Sequence, residues 1–538
     1  RRVLFRSGSW WFPALLIGTG IFFTIYLGFP QFRFFGQGWR IVTGKHGGEG
    51  SKGETTPFEA LTTAMSGAVG TGNIGGVALA IWTGGPAAIF WMWITAIFGM
   101  TTKFVEVTLA HKFRTTLSDG SISGGPMYYI EKGLNMKWVA ILFSALMMIC
   151  AIGSGNMPQI NNIANVMETE FSVPKLMTGL VLGGLLWIII IGGITRIAAV
   201  ASKIIPIMGV IYFGGALIVL VNNYENIIPS FNAIFSQVFT GSAAVGGFLG
   251  ASFAMSLKYG VARGLYSNEA GQGSSPIAHA SSKTEKSIEQ GMVSILEPFI
   301  DTIVVCSVTA MVILSSGVWT EKFENSFDRT SMTVISGVYS DANEDDVIEL
   351  SKYVQNMPSE ITNFNGVISL EAGSIVSSNA TIIHKRSVGE DVIISRDGNL
   401  VTGDLEITNG SFVERGLNIR GKSLIDSAEL TAKAFSQSSM NEYGGYLVAI
   451  ALLLFAFSTA IAWCYYGDRS TAYIFGEKGV FWYRNFYVLC FILAAVIDTE
   501  VVWNIAYVVV ALVSIPNLIA IFVLRREMKE DVDNYKLN

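Results

Sequence analysis

Met65-Ser66-Gly67-Ala68-Val69-Gly70-Thr71-Gly72-Asn73-Ile74-Gly75-Gly76 lies in the middle of an apolar run over residues 57–82. The run is long enough to cross a bilayer, which takes about 20 residues. Glycine costs a helix about 1 kcal/mol relative to alanine, and in hydrocarbon the freed backbone groups find no water. Broken backbone at that depth persists only where it is buried in protein or lines a cavity. Two half-helices meeting at such a break aim spare N–H and C=O groups into the gap, one end suited to a carboxylate and the other to a monovalent cation. Small residues spaced by four also serve close helix packing, so the glycines alone leave both readings open. Thr71 and Asn73 favour a site, because polar groups at membrane depth need partners. No Lys-Ser/Thr follows the glycines, which excludes a phosphate loop.

Outward from this stretch, 51% of the residues are hydrophobic, 14% are charged and the mean hydropathy is +0.47. These values predict an all-α polytopic membrane protein. The net charge of −5 argues against a nucleic-acid partner. Cys150, Cys306, Cys464 and Cys490 fall in apolar runs without metal spacing and read as small hydrophobes. About eleven spans are expected, over 9–29, 57–82, 85–110, 138–167, 176–197, 204–221, 243–262, 291–318, 445–465, 480–497 and 501–524. The first run is too long for a signal-peptide core and reads as a span.

Lys and Arg collect in alternate loops: Arg33, Arg40, Lys45 and Lys52; Lys112, Arg114, Lys132 and Lys137; Arg196 and Lys203; Arg263, Lys283 and Lys286; Arg469, Lys478 and Arg484; and Arg525, Arg526 and Lys529. The intervening loops are nearly bare. By the positive-inside rule the N-terminus is outside and the C-terminus cytoplasmic, against the minority signal of Arg1, Arg2 and Arg6. Residues 320–441 are polar and acidic, with short alternating stretches such as Asp391-Val392-Ile393-Ile394-Ser395 punctuated by Gly, Asn and Asp. They predict a β-rich extracellular insertion, a solenoid or sandwich, that serves as a cap or as a surface for a partner.

A second glycine-rich run, Gly246-Gly247-Phe248-Leu249-Gly250 through Gly260, comes five spans after the first. Paired interrupted spans point to an inverted-repeat transporter with its site between them. The expected division is a peripheral span and loop (1–56), a first repeat (57–222), a second repeat (223–319 and 442–538) and the insertion. Gln159, Ser458, Thr459 and Trp463 are further intramembrane polar or amphipathic residues. Thr459 and Trp463 stand four apart, on one helix face. Glu297 and Asp301 are likewise four apart; cation coupling and a buried network both account for Asp301.

Ser66 through Ala78, Gly264-Leu265-Tyr266-Ser267-Asn268-Glu269-Ala270-Gly271 and Phe299-Ile300-Asp301-Thr302 resemble, in order, the signature regions of the alanine or glycine:cation symporter family. The resemblance covers the membrane part; the 320–441 insertion departs from it. It implies a LeuT-type 5+5 inverted repeat and Na+-coupled uptake of a small neutral amino acid. By the resemblance, the carbonyls of Ser66 and Val69 with the hydroxyls of Ser458 and Thr459 would hold Na+. Gly70, Thr71, Gly72 and Asn73 would meet the substrate carboxylate, while Gln159, Phe253, Thr459 and Trp463 would close the pocket. A proton-coupled carrier of the same fold would use Asp301 or another buried carboxylate. A membrane sensor or channel is the rival of another class. An enzyme is disfavoured, with no nucleophile–base or metal cluster in the sequence, and no Walker A motif supports ATP drive. The expected location is the plasma (inner) membrane.

Overall fold

The computed structural model describes residues 11–44, 53–118, 120–329, 331–377, 379–497 and 499–535. Arg1, Arg2, Arg6, Lys45 and Lys52, used above for orientation, lie outside them.

Apolar helices dominate. Among the described residues six are long and apolar enough to cross a membrane: 87–112, 137–171, 193–222, 287–316, 442–475 and 501–523. A bent pair over 57–84 makes a seventh. Two shorter apolar helices, α1 (Trp11–Tyr26) and Lys175–Ile190, and the 18-residue Glu477–Ala494 fall on three more of the expected runs.

The bent pair is the 57–82 run. Helix α2 (Pro57–Ala68) starts at a capping box in which Thr56 accepts from the Glu59 amide and Glu59 accepts from the Thr56 amide, with Pro57 in the first turn. It stops at Val69, whose ψ of 91° leaves the helical region. The chain then makes a π turn over Gly72–Gly76 and continues as α3 (Val77–Gly84), the two halves bent by 57°. Glycine is required at the break. A Cβ on Gly67 would stand 2.7 Å from the Tyr466 hydroxyl, and one on Gly70 would stand 2.7 Å from Thr459 Oγ1. Both neighbours belong to the long helix that packs across the break.

The next helices are α4 (Ala87–Lys112), α5 (Lys137–Gly153), α6 (Met157–Phe171) and α7 (Gly193–Asn222). The expected span over 243–262 is corrected. Gly246 and Gly250 adopt positive φ (55° and 83°), and the chain pairs Gly241–Ser242 with Ala251–Ser252 as short strands. Glycines in that region of φ suit a turn and not a helix. Helix α8 (Phe253–Asn268) begins only at the Ser252 N-cap. It ends at Glu269, in the left-handed region at φ 55°, and residues 269–274 run unwound before the short α9 (Ser275–His279). The second interruption therefore lies about twenty residues after the glycine run that suggested it. Helix α10 (Ser287–Ser316) follows, with a π segment at Phe299–Cys306.

The insertion is strand-rich, and its ladders are antiparallel, which is at odds with a solenoid. One eight-stranded sheet closes on a core of Ile368, Leu370, Ile394, Leu405, Ile407 and Ile419. A three-stranded sheet joins Met332–Ser336, Ala380–His384 and Ser387–Val388. The tight turn Lys385-Arg386, both residues at positive φ, reaches the membrane helices. Lys385 O accepts from Trp82 Nε1 on α3 (3.0 Å), and the Arg386 guanidinium lies 3.7 Å from Met255 Sδ on α8. From the module the chain returns through α11 (Ser427–Ser436), which covers the π turn: Thr431 Oγ1 donates to Ile74 O at 3.2 Å. Helices α12 (Glu442–Phe475), α13 (Glu477–Ala494) and α14 (Thr499–Val523) complete the membrane part.

Candidate functional site

The break after α2, the unwound loop 269–274 and the middle of α12 converge on one small cavity. Its lining includes Gly70, Thr71, Gly72, Gln159, Glu269 and Gln272, with Thr459 and Trp463 on α12. Its free volume is about 20 Å³, room for one or two waters. Thr71 Oγ1, Gln159 Oε1 and Gln272 Oε1 are buried there with no hydrogen-bond partner. Buried polar atoms are almost always satisfied, so three orphans around one cavity mark a place where a polar ligand completes the bonding.

Each wall has a cause. Trp463 Nε1 donates both to Gly67 O (3.2 Å) and to Glu269 Oε1 (3.1 Å), which ties the first break to the second. The other Glu269 oxygen accepts from Ser274 Oγ at 2.7 Å. Ordinary packing alone would not hold the unwound loop, since its amides have left the helical ladder. Glu106, buried on α4, accepts from the amides of Gly271 (3.2 Å) and Gly273 (3.1 Å) and from the Asn517 side chain. Asn517 also donates to Gly271 O (2.9 Å) and is held by the Tyr129 hydroxyl. Lys103, one turn before Glu106, bridges Ser275 Oγ (2.6 Å) and Glu297 (2.8 Å). Glu297 thus belongs to a buried ion-pair network.

Asn73 does not line the cavity. Its Oδ1 accepts from the Gly70 amide (2.9 Å), and its Nδ2 donates to Asp301 Oδ1 (2.6 Å). The other Asp301 oxygen accepts from Ser267 (2.6 Å) and Thr302 (2.7 Å). Asp301 holds the shape of the break from behind. Phe253 also lies elsewhere: it opens α8, is 37% exposed and packs on Trp91. Its expected place in the pocket came from the family resemblance, and here the chain at 241–252 turns as short strands so that Phe253 opens the helix away from the cavity.

Beside the cavity, Ser66, Val69, Ser458 and Thr459 meet. Ser66 Oγ donates to Ser458 O (2.8 Å) and Thr459 Oγ1 to Val69 O (3.3 Å). The Ser458 hydroxyl turns back to Phe455 O at 2.9 Å. These are neutral hard oxygens on two elements, the donor type that suits an alkali or alkaline-earth cation rather than a transition metal.

Sequence reasoning missed Glu269 and Gln272. An acidic residue inside Asn268-Glu269-Ala270-Gly271-Gln272-Gly273, between a helix and a short apolar stretch, was the available signal.

Residues 4–343 and 407–538 match the model of the sodium:alanine symporter family. The unmatched residues 344–406 lie inside the β-rich module. An uncharacterised transporter of Haemophilus influenzae is 32% identical over 532 residues, covering 98% of this chain and 94% of its own. The sodium/alanine symporter AgcS of Methanococcus maripaludis is 35% identical over 515 residues, covering 95% and 91%. The amino-acid carrier protein AlsT of Bacillus subtilis is 40% identical over 301 residues, covering 56% and 63%.

Proposed function

Since the chain belongs to the sodium:alanine symporter family, we propose that it carries alanine or glycine across the plasma (inner) membrane with Na+, by alternating access. Cation-coupled amino-acid transport follows from the family; the cargo, ion site and topology are this reading's own. The observation that carries it is the set of orphaned oxygens on Thr71, Gln159 and Gln272 around one small cavity between two broken helices.

A zwitterion matches that set. The Thr71 hydroxyl suits its carboxylate, and the oxygens of Gln159, Gln272 and Glu269 suit its ammonium. The cavity as it stands holds one or two waters, so its walls must part to admit an amino acid, and Trp463 and Tyr266 in those walls favour the smallest side chains. Na+ would be held by the carbonyls of Ser66 and Val69 and the hydroxyls of Ser458 and Thr459, in place of the Ser66–Ser458 and Thr459–Val69 hydrogen bonds, joining α2 to α12. Ion binding then biases the outward-open state, and substrate binding permits closure and inward release. This reading takes the two halves as a LeuT-type 5+5 repeat, the module as outside, and the N- and C-termini as outside and cytoplasmic.

Proton coupling is the second reading, favoured by Glu269, a buried carboxylate in the cavity wall. Asp301 is the weaker carrier of that role, since both its oxygens are engaged away from the cavity. Radiolabelled alanine uptake into proteoliposomes separates the two. A sodium gradient without a pH gradient drives concentrative uptake in the proposed symporter. Uptake driven only by a pH gradient overturns it, and passive equilibration under both gradients points to a channel.

A further inference from the structure

Between α1 and α2, at the end of the membrane part away from the module, the chain forms two short helices, Pro30–Arg33 and Phe35–Val42. Gly28 and Phe29, at φ 70° and 58°, turn it out of α1. One side of this segment is built into the protein. Gln31 donates to Thr24 (3.2 Å) and accepts from Thr101 of α4 (2.7 Å), and Phe34 is buried on Phe104 (5.7 Å between centroids). Gly38 lies against Met292 O of α10 with no room for a Cβ. Phe35 sets its edge on Phe299 (4.8 Å), where the π segment starts.

The other side faces out. Phe32, Arg33, Gly36, Trp39 and Arg40 are exposed, at the three- and four-residue spacing of one helix face. Phe32 is 65% exposed and stacks on Phe29, itself 52% exposed. Arg33 Nη1 donates to the carbonyls of Leu27 (3.2 Å) and Gly28 (3.4 Å) at the end of α1. Neither Arg33 nor Arg40 meets a carboxylate among the described residues. A face that meets only hydrocarbon looks different: Lys175–Ile190 exposes Leu176, Leu180, Val181 and Ile188 along its length, all aliphatic. Aromatic rings interleaved with unpaired guanidinium groups suit the headgroup level, with the rings at the boundary and the arginine forks on phosphate oxygens.

We propose that the outer face of residues 29–40 docks anionic phospholipid, with Arg33 and Arg40 on the phosphates and Phe29, Phe32 and Trp39 among the upper acyl chains. Continuity with α1 sets the depth, since the face begins directly after that apolar helix ends. Lipid seated there also steadies α10, because the inner side of the same segment carries Met292 and Phe299. The site is independent of the cargo and of the coupling ion.

The test follows the melting temperature of the full-length protein in a neutral detergent while phosphatidylglycerol is titrated in. Phosphatidylcholine serves as the neutral lipid and glycerol 3-phosphate as the headgroup alone. Phosphatidylglycerol should raise the melting temperature saturably, and the other two should not. Arg33→Gln and Arg40→Gln should each raise the half-saturating phosphatidylglycerol concentration about fivefold, the worth of one basic residue at an anionic surface. Lys132→Gln, which removes an exposed cation at the same end but off this face, should leave it unchanged. A melting temperature indifferent to phosphatidylglycerol, or raised equally by phosphatidylcholine, overturns the proposal. So does an equal response to glycerol 3-phosphate, which would mark an ion site, or equal weakening by Lys132→Gln, which would mark diffuse charge. If Arg33→Gln does not fold, for want of its bonds to the α1 carbonyls, an unchanged half-saturation in Arg40→Gln overturns the proposal by itself.

Discussion

Asn73 reaches two parts of the chain at once: its carbonyl oxygen takes the Gly70 amide at 2.9 Å and its amide nitrogen gives to Asp301 Oδ1 at 2.6 Å. One side chain thereby replaces a hydrogen bond that the broken helix lost and fixes the break to α10. Asp301→Ala leaves the donors of Asn73, Ser267 and Thr302 without an acceptor in a dry interior. The expected destabilisation is about 3 kcal/mol, read as a lower melting temperature in detergent, with alanine uptake lost alongside. Asp301→Asn, which keeps the volume and one acceptor, falls between. If Asp301→Ala melts normally and only loses ion dependence, Asp301 is a coupling group and not a brace.

Ser458→Ala tests the ion site with little effect on the fold. Its hydroxyl bonds only a carbonyl of its own helix, Phe455 O, a contact that helices lose cheaply. The sodium concentration for half-maximal uptake should rise roughly tenfold, which corresponds to about 1.4 kcal/mol. The melting temperature should stay within a degree or two. An unchanged sodium curve removes Ser458 from the ion site.

Gly70→Ala should abolish uptake while the protein still reaches the membrane. The new methyl meets Thr459 Oγ1 at 2.7 Å and Gln159 Oε1 at 3.4 Å, so it occupies the cavity wall. Gly184→Ala is the control, since a Cβ there meets nothing within 4 Å and alanine is the better helix former. Equal uptake by the two variants would place the substrate elsewhere.

In the module, His384 stacks on Phe327 at 4.1 Å between centroids and contacts Ser423 and Ser331 through its ring nitrogens. Burial pushes its pKa down to about 3, and the neighbouring Lys385 charge adds to this. The unfolded module therefore binds a proton, near pH 6.5, that the folded one refuses. The neutral ring's stability is fully present above that pH and drains away as pH falls from about 6.5 towards 3. Hydrogen exchange in Met332–Ser336 and Ala380–His384 should accelerate across that interval, and His384→Phe should flatten the dependence. Exchange that is as steep in His384→Phe assigns the acid sensitivity to other groups.

The first broken helix was legible because its own residues break it: glycines, a threonine and an asparagine lie within one apolar run. The second was not. Gly246 and Gly250 carry the same local signal, yet they turn the chain before α8 begins. Glu269 reads as a loop residue on hydropathy, and what brings it into the interior is remote: Trp463 on α12, with Glu106 on α4 holding the adjacent glycines. Membrane depth is assigned by partners far along the chain, and a sliding window cannot see them. The juxtaposition of Ser66 and Val69 with Ser458 and Thr459 came from family resemblance, since nearly 400 residues separate the two halves of those contacts. Lys103 could have been flagged as a charge within a span, but Glu297 as its partner could not.

The Lys385-Arg386 turn leans on Trp82 of α3 and Met255 of α8, the module-side halves of both interrupted helices. In the proposed alternating-access cycle, neither half swings aside without dragging that turn or tearing loose from it, so the module would ride with the gate like a handle fixed to a door. Anything that grips the handle and holds it still, such as an antibody fragment raised against the sheet, also holds the door.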